Sequence, residues 1–151
     1  MKKKYNFAID PINTRQAITI CSILADHLRE NGPFEYKIPA FDEELLIYDT
    51  NNTIKYKDSS DDYCAIISML AELRKLKGEM SRLELKAGDP YISKKITIDS
   101  AIEVLENRIK YLDFLLSIED NDAVYMKIND SQRGFQCIVN MLLELKELKG
   151  E

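Results

Sequence analysis

The sequence predicts an α+β fold in the order β-α-β-β-β-α-α-β-α, with a long antiparallel helical hairpin beside a small, mainly antiparallel sheet. Three observations predict it. Residues 55–79 and 127–151 align without a gap at 12 identical positions of 25, where average residue usage gives roughly one or two by chance. Apolar residues keep a three-four spacing from Ile66 to Leu83 and again from Ile98 to Leu116, the period of helices buried along one side. Between residues 34 and 57 the period drops to two, the mark of strands.

Residues 5–9 alternate apolar and polar character and end at Asp10-Pro11, which suits a short strand followed by a breaker. Asn13 or Thr14 then caps a helix to about Glu30, buried through Ile18, Cys21, Ile23, Leu24 and Leu28 and stopped by Gly32-Pro33. Phe34, Tyr36 and Ile38 share one strand face. Residues 45–48 and 53–56 flank the polar stretch 49–52, a hairpin signal. Asp58, Ser59 or Ser60 caps the next helix, with Asp61 and Asp62 favoured at the positive end of its dipole. Because the spacing continues across Gly78, this helix is expected to reach about Lys86, the rival reading being Gly78 as a C-cap. After a loop over residues 89–95, Thr97 or Asp99 opens another helix. Residues 123–128 read as a strand, and Asp130 or Ser131 caps the final helix through Phe135, Ile138, Met141, Leu142, Leu145 and Leu148.

A chain of 151 residues fits one domain, residues 1–151, large enough to bury its own core without a staple. Its net charge of −5 argues against a duplex nucleic acid partner, which calls for clustered Lys and Arg. No stretch approaches the ~18 apolar residues of a membrane span, and the lysines of residues 2–4 are not followed by the apolar core of a secretion signal. Cys21, Cys64 and Cys137 are widely spaced among apolar residues and read as reduced core cysteines of a cytoplasmic protein.

No catalytic constellation is present. The one histidine, His27, lies near the end of the first helix, where a cation favours the dipole, and no nucleophile motif accompanies it. Cys-x-x-Cys, His-x-x-x-His, EF-hand and phosphate-loop patterns are absent, so neither metal nor cofactor is expected. Asp42, Glu43, Glu44, Asp120 and Asp122 read as solvated loop charge. Tyr36, Phe41, Tyr48, Tyr56 and Tyr125 read as sheet core.

Sustained seams without a catalytic set lead to the expectation of a non-catalytic, homo-oligomeric interaction protein. A phage or mobile-element inhibitor, adaptor or immunity-type protein fits that description. Its helical hairpin, residues 59–86 and 97–117, is expected to pack on a second copy through Met80, Leu83, Ile98, Ile102, Leu105 and Ile109. A host or other partner protein is the further partner. The alternative is a binding protein for a small anionic or nucleotide-like ligand, held at helix N-termini by Arg15 and Arg133 with Asn13 and Ser131. The repeat itself reads as a twin scaffold, with function where the copies differ.

Overall fold

A computed structural model describes residues 4–81 and 96–151. Its elements are α1 (Thr14–Asn31), β1 (Phe34–Asp42), β2 (Ile47–Asp58), α2 (Ser60–Leu76), α3 (Ile98–Ile118) and α4 (Asp122–Leu148). The fold is α+β, four helices with one antiparallel two-stranded sheet among the described residues.

Two expected strands are not strands. Residues 5–9 find no ladder partner; instead the Tyr5 amide donates to Asn140 Oδ1 at 2.7 Å and Asn140 Nδ2 donates to the Tyr5 carbonyl at 2.7 Å. That exchange satisfies both backbone groups of Tyr5 and fastens the segment to α4. Residues 123–128 belong to α4, which is capped by Asn121, whose Oδ1 accepts from the Ala123 and Val124 amides. A helix satisfies its own backbone where no second strand is at hand, so Asp130 and Ser131 lie inside α4 and cap nothing.

The hairpin turn is also displaced. Pro39 pairs with Thr53 but Ala40 pairs with Asp49, so residues 50–52 form a bulge within β2. The turn falls at residues 43–46, where Asp42 Oδ1 accepts from the Glu44 and Leu45 amides at 3.0 and 3.1 Å. An aspartate that closes its own turn in this way outcompetes the polar stretch downstream.

Helix α2 ends at Leu76, not near Lys86, and the later part of that expectation lies outside the described residues. Gly78 takes φ +68°, its amide donates to the Lys75 carbonyl, and the Glu79 amide donates to the Arg74 carbonyl at 2.8 Å. This is a Schellman motif, and it outweighs an apolar spacing that a glycine interrupts. The second copy ends identically: Gly150 has φ +71°, and the Glu151 amide donates to the Lys146 carbonyl.

The helices form two antiparallel pairs, α1 with α2 and α3 with α4. Arg74 Nη1 of α2 donates to Thr14 Oγ1 in the first turn of α1, and Lys146 of α4 reaches Asp99 in the first turn of α3. Asn13 and Thr97 each accept from the amide three residues on. Counted from these caps, buried Thr14, Ala17, Cys21 and Ala25 stand where Ile98, Ala101, Leu105 and Ile109 stand. Between the pairs, Lys77 meets Glu144 at 3.3 Å and Lys149 meets Glu72 at 3.3 Å. Lys77 and Lys149, like Glu72 and Glu144, are equivalent positions of the repeat. Each copy thus gives the other what it receives, the pattern of a twofold contact.

One core cluster draws on all four helices, with Ile66, Ile67, Leu70 and Leu73 of α2 against Ile138, Val139, Leu142 and Leu145 of α4 at its centre. Gly78 and Gly134 provide opposite tests. Gly78→Ala forces an L side chain into the left-handed region and is expected to cost about 1 kcal/mol. Gly134→Ala, inside α4 with its nearest new contact Ile20 Cδ1 at 3.9 Å, is expected to gain about 0.5–1 kcal/mol. Urea denaturation of the two variants reads the difference in sign.

Candidate functional site

Among the described residues, three places gather polar or exposed side chains in a way that could carry function. The first is a cleft of about 730 Å³ between residues 4–16, the end of α2 and α4. Asn13 and Arg15 line it, as expected for an anion site, but Asn13 is occupied: Oδ1 accepts from the Gln16 amide and its own amide donates to Gln16 Oε1. Arg133 and Ser131 do not join them. Both are inside α4, away from the free amides of a first turn, and Arg133 lies 5.6 Å from the Phe7 ring centroid. The cleft also mixes Lys4, Arg15, Arg74 and Lys77 with Asp10, Glu79 and Glu144, so it presents no single sign of charge.

The second place is buried. Asp58, the last residue of β2, is 2 % exposed; Arg108 Nη1 of α3 donates to its Oδ2 at 2.7 Å, Tyr63 Oη donates at 3.1 Å and Tyr36 Oη at 3.4 Å. The guanidinium lies 5.9 Å from the Phe34 ring and 5.6 Å from the Phe135 ring, and its Nε has no hydrogen-bond partner. Burial followed by the Asp58 charge lifts the Tyr63 hydroxyl well above the usual phenol range. Burial also opposes the charge on Arg108, but Tyr63 and Asp58 outweigh it and raise its pKa. Apart from the Arg108 Nε, the polar groups pair with one another and are largely withdrawn from solvent, so the cluster joins β1, β2, α2 and α3.

The third place is the end of the molecule where the hairpin meets the α3–α4 corner. Tyr48 Oη donates to Asp113 Oδ2 at 2.6 Å, and the Tyr48 ring packs edge-on against Phe114 at 5.2 Å. A groove of about 550 Å³ runs there, lined by Phe41, Leu46, Ile47, Phe114, Ile118 and Tyr125, with Asp113 among them. Leu45, Leu46 and Ile118 are 66, 73 and 60 % exposed.

No family model, curated protein or solved structure matches the chain.

Four of the six residues expected at an oligomer seam are not exposed. Ile98, Ile102, Leu105 and Ile109 are buried in the chain's own core, because α4 covers the face that the spacing left open. Met80 is half-buried, and Leu83 lies outside the described residues. His27 is exposed on α1, with its Nδ1 3.2 Å from Asn31 Nδ2. Among the described residues, no group of three or more His, Cys, Asp or Glu is placed to hold a metal ion. Tyr125 and Phe41 turn out to be surface residues of the groove, not sheet core. Arg108 gave no signal in the sequence beyond being a charge inside an apolar helix, and Leu46 none at all.

Two measurements test the buried joint. Arg108→Met strands a buried carboxylate and is expected to cost about 3–5 kcal/mol, while Arg108→Met with Asp58→Asn costs less than that single change; urea unfolding of both variants decides. Burial pushes the Cys21 thiol up to about 12, above the roughly 8.5 of a free thiol. The folded chain therefore holds this proton more tightly, so stability is full below about pH 8.5 and falls as pH rises towards about 12. Urea midpoints at about pH 7, 9 and 10.5 should decline mainly over the second interval, and Cys21→Ala should flatten that decline.

Proposed function

We propose that this chain is a non-catalytic protein-interaction factor whose recognition surface is the end formed by the hairpin turn and the α3–α4 corner. Leu46 is the observation that carries the reading. It is 73 % exposed and holds φ 54°, so one position combines a solvated leucine with a left-handed backbone. That backbone costs an L residue roughly 1–2 kcal/mol, and Asn or Gly would tolerate it better. A local choice that lowers stability and serves no packing is where function is expected. Phe41, Leu45, Ile47 and Ile118 extend the same apolar surface, and exposed contiguous apolar surface marks partner binding.

Self-association through this end is the homo-oligomeric form of the same reading, in place of the helical seam. Among the described residues no helix is long and apolar enough to cross a membrane, so the exposed apolar side chains are not those of a spanning helix.

A photo-crosslinking residue at Leu45, with one at exposed Lys75 in the last turn of α2 as control, tests the reading in cells that naturally make the protein. An adduct from position 45 and none from position 75 is expected, its mass separating a second copy from another protein. Leu46→Asn should remove the adduct while leaving stability equal or higher by up to ~1 kcal/mol. Equal adducts at both positions, or none at position 45, overturn the reading.

A further inference from the structure

The charge around the hairpin end is segregated in a way that names the partner. Residues 38–54 carry Asp42, Glu43, Glu44 and Asp49, and residues 111–126 carry Asp113, Glu119, Asp120 and Asp122; neither stretch contains a Lys or Arg. The Tyr48–Asp113 hydrogen bond and the shared groove bring the two stretches together. None of the eight carboxylates is in an ion pair among the described residues, whereas the ion pairs present lie elsewhere on the molecule. With 26 acidic and 21 basic residues in the whole chain, setting these eight aside turns the balance basic. Among the described residues these eight unpaired carboxylates thus gather at one end, around the exposed side chains of Leu45, Leu46 and Ile118.

We infer that the groove receives a cationic amphipathic segment of a partner protein, one that lays large apolar side chains between Leu46 and Ile118 while its Lys or Arg residues meet the surrounding carboxylates. The inference rests on the interaction reading above and adds the chemistry of the partner. Apolar contact supplies affinity and complementary charge supplies orientation and encounter rate. Asp113 strengthens the case because it stands inside the groove wall, where an incoming cation would find a carboxylate whose Oδ2 already accepts from Tyr48 at 2.6 Å. Anionic lipid surfaces and nucleic acids are repelled by the same eight charges. A second copy would bring an equally acidic end to this one, so end-to-end self-pairing is disfavoured on charge.

The test uses the full chain and four labelled probes in fluorescence anisotropy. They are a Lys/Leu amphipathic peptide, the same peptide with Glu for Lys, a scramble of the Lys/Leu composition that lacks an apolar face, and vesicles with anionic headgroups. The Lys/Leu amphipath is expected to bind at least about tenfold tighter than the scramble and than the Glu version. Raising salt from about 50 to 300 mM should weaken it several-fold. Leu46→Asn with Ile118→Asn, and separately Asp42→Lys with Asp120→Lys, should each weaken it at least about fivefold, with folding checked by urea unfolding. Equal binding of amphipath and scramble overturns the inference as non-specific attraction, and so does binding of the vesicles. Preference for the Glu peptide overturns the charge assignment and leaves the interaction reading standing. Failure of every peptide together with the absence of a crosslink at position 45 removes both.

Discussion

The buried ion pair between Asp58 and Arg108 is the constraint on which the arrangement depends. Taking two charges out of water costs several kcal/mol each unless close geometry and further hydrogen bonds return it. Here the return comes from different parts of the chain: the carboxylate from the end of β2, Tyr36 from β1, Tyr63 from α2, the guanidinium from α3 and an aromatic face from Phe135 of α4. Neither Asp58 nor Arg108 can move alone without leaving the other's buried charge uncompensated. A two-stranded hairpin by itself is marginal in water, so this joint and the rings of Tyr36 and Tyr111, 4.9 Å apart, tie the hairpin to the helices. The hairpin's far end is thereby held at the α3–α4 corner, where Tyr48 reaches Asp113.

The same pair explains where the two copies of the repeated segment part company. Asp58 and Asp130 are equivalent in sequence, as are Tyr63 and Phe135. In the first copy the aspartate is buried and the tyrosine hydroxyl donates to it. In the second the aspartate is a solvated residue inside α4, and the ring that lacks a hydroxyl faces Arg108 instead. Downstream the copies converge: Ile66, Leu70 and Leu73 are buried like Ile138, Leu142 and Leu145, and both helices close with a left-handed glycine. The helix halves behave as a scaffold, and the divergent upstream halves create the hairpin on one side and the extended start of α4 on the other.

Helix-forming residues were legible in order because a capped amphipathic helix is specified within a few turns. Asn13, Thr97 and the seam Ile98, Ile102, Leu105, Ile109 all stand where the spacing puts them. Strands were less legible, since alternation in residues 5–9 or β propensity in residues 123–128 means nothing until a second strand is present to complete the ladder. The candidate site was the least legible. Acidic residues at 42–44 and 119–122 looked like ordinary loop charge because each stretch alone is ordinary. Only when the two are brought together, with the apolar side chains between them left uncovered, do they become one surface.

Local spacing and capping were therefore enough to establish an α+β chain with helices of related sequence and a hairpin between residues 34 and 57. Long-range packing decided the rest. It chose which apolar faces are spent on the core, turning the expected oligomer seam inward because α4 lies against it. It made Asp58 a buried partner of Arg108, not a cap, and left Leu46 exposed in a strained turn. Those outcomes depend on residues far apart in sequence meeting in space, and no pattern read along one stretch contains that information.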